Sequence, residues 1–138
     1  KNNEKKRPYV IHRTSIGCYE RTIAMLIEKY AGAFPTWLAP VQVKVLPIVD
    51  KQFEYANQIA EKLSKLGVRV EVDERNEKIG YKIREAQLAK IPYMLVIGDR
   101  EMQNGQVAVR SRKEGDLGVM DVDGFINKLT TEINTRAK

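Results

Sequence analysis

The chain has 138 residues, 43% hydrophobic and 30% charged, which fits one globular domain of ordinary size with some tens of residues to spare. Its single cysteine, Cys18, excludes an internal disulfide or a cysteine-built zinc knuckle, and predicts a reducing, cytoplasmic setting. The net charge of +6 fits a solvated basic surface or an anionic partner, nucleic acid before membrane, because no apolar run nears the roughly 18 residues that span a bilayer.

The first residues, Lys1-Asn2-Asn3-Glu4-Lys5-Lys6-Arg7, lead into no apolar h-region, so they do not read as a secretory signal. The missing initiator methionine suggests a segment of a longer chain. Pro8 to His12 reads as a short strand, with the β-formers Tyr9, Val10 and Ile11 behind a proline that suits a strand start. Thr14 or Ser15 is expected to cap the next helix, whose Ile16, Tyr19, Ile23, Leu26, Ile27 and Tyr30 recur at helical spacing up to a stop at Gly32. A strand at 8–12 finds no obvious partner in the chain, so the sheet it belongs to is expected upstream. Ala33 to Pro40 is a proline-bounded connector.

From Pro40 the pattern alternates strand and helix. Val41 to Val49 is nearly continuous apolar sequence, as in a strand buried on both faces. Ala56, Ile59, Ala60, Leu63 and Leu66 make an amphipathic helix ended by Gly67, and Val68 to Val72 alternates as a half-buried strand. Ile79, Ile83 and Ala86 mark a second helix to about Lys90, and Pro92 precedes the strand Tyr93 to Ile97. Asn104-Gly105 predicts a tight turn into an antiparallel strand, Gln106 to Arg110. Asp121 or Asp123 is expected to cap the last helix, with Phe125, Ile126, Leu129 and Ile133 inward. The βαβαβ series implies an α/β fold with parallel strands joined by right-handed crossovers.

In such sheets ligands gather outside the carboxyl ends of the parallel strands. Here those ends are Val49-Asp50, Asp73 to Asn76, and Ile97-Gly98-Asp99. The polar loop Asp73 to Lys78 leads into a helix whose Lys78, Lys82 and Arg84 are expected away from its apolar stripe, free to attract phosphates. Glu101 and Arg110 lie near the expected hairpin and can pair with exposed bases, which favours single-stranded RNA loops over duplex DNA. A polar loop and a solvated helix face also need no ligand at all. Val49-Asp50-Lys51-Gln52 has no glycine-rich phosphate loop, which disfavours a nucleotide-binding enzyme.

Arg7 to Arg21, with Gly17-Cys18-Tyr19-Glu20-Arg21 at the helix start, resembles motif 3 of class II aminoacyl-tRNA synthetases. Ala31 to Val43, Arg75 to Glu85 and Ile91 to Asp99 resemble the anticodon part of threonyl-tRNA synthetases of bacterial type, so that the likeness covers about Pro8 to Ile133. Motif 3 alone is weakly specific, whereas four blocks in the right order are strong. The resemblance implies a mixed, mainly parallel sheet of about five strands with helices on both faces, the class II anticodon-binding domain, at 41–138. A strand–helix end of the catalytic domain at 1–33 and a linker at 34–40 would precede it.

The resemblance also implies roles. Arg21 matches the motif 3 arginine that packs on adenine and neutralises ATP, both tasks suited to a planar, permanent cation. His12 matches one of three ligands of a Zn²⁺ that contacts the amino and hydroxyl groups of threonine and so rejects valine. The other two ligands lie upstream in the family, so no zinc, ATP or Mg²⁺ is expected to be held by these residues alone. Cys18 stands where many relatives carry serine and is expected to be a small packing or pocket-lining residue. Asn76, Arg84, Glu101 and Arg110 match positions that contact anticodon bases, beside the Lys78 that the helix pattern already offers for tRNA binding. Every threonine tRNA has G and U at its second and third anticodon positions. A carboxylate and an arginine suit guanine, and an asparagine suits uracil.

The function so implied is part of a threonine–tRNA ligase, using threonine, ATP and threonine tRNA, whose parent is expected to be a homodimer. The segment itself, without motifs 1 and 2, should be inactive in aminoacylation. Three alternatives remain: a non-catalytic RNA-binding module, the same domain of a prolyl-, glycyl- or histidyl-tRNA synthetase, and, remotely, a flavodoxin-like nucleotide-binding protein. Arg21 and His12 count against the first, and His12 with the Phe34-Pro35-Thr36-Trp37-Leu38-Ala39-Pro40 linker counts against the second.

Overall fold

The computed structural model describes residues 5–13 and 17–137. The expected capping by Thr14 or Ser15 and the contribution of Ile16 lie outside the described residues. The first helix, α1, spans Tyr19–Tyr30 with Cys18 at its N-cap and Ala31 in the left-handed region at its end. None of its residues is buried, and Tyr19, Ile23, Met25 and Ile27 stand exposed. Cys18 is exposed too and donates its Sγ–H to Glu20, 2.6 Å away, so it lines no pocket of the described chain. This contact is the main cause that holds the Glu20 carboxyl below its usual range.

Residues 8–12 are not the expected strand. Tyr9, Val10 and Ile11 are exposed and join no sheet among the described residues. β-propensity records how well a side chain suits a pleated, half-buried surface, and without a neighbouring strand or a core there is nothing for it to act through.

The remaining elements form one sheet with helices on both faces. β1 (Val43–Pro47) has β2 (Val70–Val72) and β3 (Tyr93–Ile97) parallel to it on either side, and β4 (Gln106–Ser111) and β5 (Gly115–Asp121) follow antiparallel beyond β3. The order is β2-β1-β3-β4-β5, so the sheet is mixed, with two parallel and two antiparallel pairings. β5 is a strand the sequence did not announce. Leu117 is an extra residue in it, because Val109 faces Gly118 while Arg110 faces Asp116, and Gly118 takes up the kink at φ 76°.

On one face, α2 (Phe53–Lys65) and α5 (Val122–Asn134) cover the sheet. Ala56, Ile59 and Leu63 of α2 and Phe125 and Leu129 of α5 pack on Val43, Val45, Leu95, Ile97, Val107 and Val109. Each fully buried aliphatic or aromatic side chain here stabilises the fold by about 1.5–3 kcal/mol. α2 ends in a Schellman motif, with Gly67 N–H donating to Ser64 O (2.9 Å) and Val68 N–H to Leu63 O (3.1 Å). Leu66 is the C-cap residue just before this turn and is exposed rather than part of the apolar face.

On the other face, α3 (Ile79–Leu88) packs Ala86, Ile79 and Ile83 on Leu46, Met94 and Val96. Asn104-Gly105 does not make a hairpin turn. It closes a short helix, α4 (Asp99–Asn104), whose C-cap is Gly105 at φ 68°, and β4 then returns antiparallel to β3 as expected.

The segment 33–40 is no loose connector. Thr36 and Ala39 are buried, and side chains from the α/β domain hold its carbonyls. Arg112 donates to Phe34 O (2.7 Å), Ala33 O (3.3 Å) and Lys90 O, while Lys90 Nζ donates to Ala31 O. Arg69 donates to Ala39 O and Trp37 O (2.9 Å each), and Gln42 Nε2 to Thr36 O (2.9 Å). Thr36 and Tyr93 hydroxyls both donate to Glu132, at 2.6 Å each. Burial, then the Glu132 carboxylate, pushes the Tyr93 phenol well above its usual range, so it stays a donor at neutral pH. No helix among the described residues is long and apolar enough to cross a membrane.

Candidate nucleic-acid interface

The carboxyl ends of the three parallel strands do come together. Pro47 pairs with Ile97, Val45 with Val72, and Asp73 N–H donates to Val45 O at 2.9 Å. The ends of β1 and β2 are tied by Lys82, a residue expected on the solvated side of its helix. Instead it is only 1% exposed, and its Nζ donates to Pro47 O (3.1 Å) and Asp73 O (2.9 Å). The signal was present in the sequence: 79, 82, 83 and 86 form one helical stripe, so Lys82 points inward with its apolar neighbours. A buried ammonium needs acceptors, and the strand-end carbonyls provide them.

The loop after β2 is held by a second cationic side chain. Arg75 donates from Nε to Asp73 Oδ1 (2.9 Å) and from Nη2 to Asp73 Oδ2 (2.6 Å), and it also reaches Glu85 on α3. The Arg75 guanidinium holds the nearly buried Asp73 carboxyl below its usual range, and that of Glu85 as well. Together these bonds fix the entry into α3, leaving Asn76 and Lys78 exposed at its start.

The turns after β1 and β3 are tied to each other. Gln52 donates to Asp99 Oδ1 and accepts from Val49 N–H through its own Oε1, at 2.7 and 2.8 Å, and Lys51 pairs with Asp99 Oδ2 at 2.7 Å. The Lys51 ammonium, then Gln52, holds the Asp99 carboxyl below its usual range. Ile48, Val49, Gln52 and the stretch Gly98 to Glu101 line a cleft between these turns. Glu101 is half-buried there, its Oε2 accepting from Gly98 N–H at 2.9 Å.

Arg110 lies on the same side of the sheet as α3, because it pairs with Met94, which α3 covers. α3 leaves the β4–β5 part of this face open, so Arg110 is partly exposed, bonded to Asp116 at 3.1 Å, beside the half-buried Ala108 and the exposed Val119. Arg84 is exposed on α3. Asn76, Lys78, Arg84, Glu101 and Arg110 therefore all reach solvent on the α3 side or at the adjoining strand ends, and none is sealed in the core.

No hydrogen bond or ion pair joins any two of the five among the described residues. They are spread from the loop after β2 to β4, three strand spacings or roughly 15 Å. A span of that size suits several nucleotides of an extended loop better than one small molecule.

Arg21, on α1, and His12 are both exposed and far in sequence from this surface. Among the described residues no group of three or more His, Cys, Asp or Glu side chains could hold a metal ion. His12 does not make a zinc site with the residues described.

Residues 42–132 match the family model described as anticodon binding domain. A threonine–tRNA ligase of Clostridium perfringens is 62% identical over 136 residues, covering 99% of this chain and 21% of the relative. One from Clostridium botulinum is 62% identical over 138 residues, and one from Caldanaerobacter subterraneus 60% over 136. The chain thus spans about a fifth of the length of the curated relatives it matches. Among solved structures, the RNA binding domain of threonyl-tRNA synthetase from Cryptosporidium parvum superposes with a TM-score of 0.76 at 36% identity, over 81% of this chain and 28% of that one.

Proposed function

The chain belongs to the anticodon binding domain family, and from that premise we propose that it is the anticodon-reading part of a threonine–tRNA ligase, a homodimer that activates threonine with ATP and Mg²⁺. What supports this reading is that Arg110 lies on the open part of the α3-side face and Glu101 in the cleft at the carboxyl ends of β1 and β3, with Asn76, Lys78 and Arg84 exposed. Glu101 accepts from the N–H edge of the central guanine, and Arg110 donates to its O6 or N7. Asn76, donor and acceptor at once, takes the neighbouring uracil. Lys78 and Arg84 supply charge to the phosphates. Whole-chain identity near 60% to threonine–tRNA ligases favours this specificity over other class II synthetases.

The ligase chemistry is proposed on resemblance alone. Arg21 would meet ATP, an assignment its exposure on α1 permits. His12 would give one ligand to a zinc site completed from outside these 138 residues. By themselves the 138 residues are inactive in aminoacylation. The domain plan accompanying this reading is a catalytic-domain end at 1–33, a linker at 34–40 and the anticodon domain at 41–138.

The decisive experiment measures binding of the chain to an RNA stem-loop with a threonine anticodon, and to the same loop with its central G replaced. Wild type prefers the first. Glu101→Gln, which keeps shape and removes an acceptor, weakens cognate binding by about 1–3 kcal/mol. Equal affinity of wild type and Glu101→Gln for the cognate loop would refute the assignment.

A further inference from the structure

Gly98 stands between β3 and α4 with φ −110° and ψ −172°, extended backbone that any residue adopts. Conformational freedom therefore does not explain a glycine there. Space does. A Cβ built on Gly98 would lie 2.8 Å from Glu101 Oε2 and 3.2 Å from Ile48 Cδ1. From these contacts we infer that Gly98 is a positioning residue: its missing side chain makes the room in which the Glu101 carboxylate is held against the Gly98 amide, aimed for base recognition. The inference rests on the anticodon-reading role of Glu101 proposed above.

The argument follows the carboxylate. Glu101 sits three residues beyond Gly98, in the first turn of α4, and folds back so that Oε2 accepts the Gly98 N–H at 2.9 Å. Among the described residues no donor reaches Oε1. One oxygen is thus anchored by the backbone, while the other is presented to an incoming donor. A carboxylate has about four lone-pair sites, so the anchored oxygen also keeps capacity for a second bond. The Ile48 side chain closes the far side of the same space. A glutamate on a short helix would otherwise sample several rotamers, and binding would have to order it first.

Alanine at 98 puts a methyl group 2.8 Å from the present position of Oε2, too close for both to stay. The atom that must move is the far end of a flexible side chain, so the backbone has no reason to shift. The carboxylate loses its aim while the fold stays. This separates Gly98 from a glycine needed for folding, and makes the substitution informative.

The test uses the full chain, the threonine-anticodon stem-loop and its central-G-replaced counterpart, with Gly98→Ala, Glu101→Gln and the double variant compared. Gly98→Ala is expected to unfold at the wild-type temperature, to bind the cognate loop about tenfold more weakly, and to lose most of its preference for the central G. Because Gly98 acts through Glu101, the double variant is expected to bind no more weakly than Glu101→Gln alone. Two results overturn the inference while leaving the anticodon reading intact: wild-type affinity and selectivity in Gly98→Ala when Glu101→Gln is impaired, or losses that simply add in the double variant. Wild-type behaviour of Glu101→Gln overturns the anticodon reading instead, and the inference with it. If Gly98→Ala lowers the unfolding temperature, Gly98→Ala/Ile48→Val relieves the second contact, and its loop binding is judged by the same criteria.

Discussion

Lys82 places a cation where α3 meets the carboxyl ends of β1 and β2, its two carbonyl partners being Pro47 in β1 and Asp73 just after β2. Replacing it with methionine keeps the apolar stem and removes the donor. Two opposing effects follow. The buried ammonium no longer has to be desolvated, which favours the variant, and two buried carbonyls lose their partner, which disfavours it at about 1–3 kcal/mol for each orphaned group. The second effect is expected to win, because the ammonium already has good acceptors whereas a thioether offers the carbonyls nothing. Lys82→Met should therefore lower stability by about 1–3 kcal/mol, a fall of roughly 4–8 °C in Tm for each kcal/mol in a domain of this size. Thermal unfolding checks it, and a more stable variant would mean that ammonium burial is the larger cost. Residue type misled the sequence reading here: a lysine in a basic helix suggested a solvated face, although its place in the 79–83–86 stripe pointed inward. The strand-end topology pointed to the region of the base-contacting candidates, and the resemblance singled out Asn76, Arg84, Glu101 and Arg110 within it, since an isolated glutamate or asparagine carries no periodic signal.

At the scale of elements, the segment 33–40 shows what composition hides. Its prolines suggested a connector, and Arg112, just beyond β4, and Arg69, just before β2, grip its carbonyls. Burial of the Arg112 guanidinium pushes its pKa below the usual value, but it remains a cation at any ordinary pH. Arg110 lies within β4, whereas Arg112 stands just past its end at Ser111, in the turn to β5, so the proposed base contact and the linker clamp lie two residues apart. Arg112→Met should release Ala33 and Phe34, speed amide exchange across residues 33–39, and cost about 1–2 kcal/mol of stability, the lower part of the range for charged hydrogen bonds because the group is only partly buried. Exchange unchanged from wild type would show the clamp to be unimportant. The strands β1 and β3 were legible because both faces are covered, which writes a nearly continuous apolar run into the sequence. β5 was not, because it is an edge strand with two glycines and a bulge, and most of its side chains face water. The strand expected at 8–12 failed for the complementary reason: its composition is right, but the described chain offers it no neighbour.

Across the whole molecule, 24 basic residues exceed 18 acidic ones, and the surplus is not spread evenly in its effect. Lys51, Lys65, Arg110 and Lys128 each face a carboxylate, in exposed pairs that contribute little to stability but locally cancel charge. Lys78 and Arg84 pair with no carboxylate among the described residues, and both stand on the α3 side. Binding of an RNA loop there should release counterions, so log affinity should fall linearly with log salt, by about 0.7 for each neutralised phosphate of a single strand. Lys78→Ala should weaken binding to the cognate loop and to the central-G-replaced loop by the same factor, and should flatten the salt dependence by about 0.7. Glu101→Gln should do the reverse, changing the preference between loops while leaving the slope alone. Titrations of both variants at several salt concentrations separate the two roles, because a phosphate contact cannot tell G from another base and a base contact releases no counterion. A slope in Lys78→Ala equal to that of wild type would remove Lys78 from the RNA-facing surface.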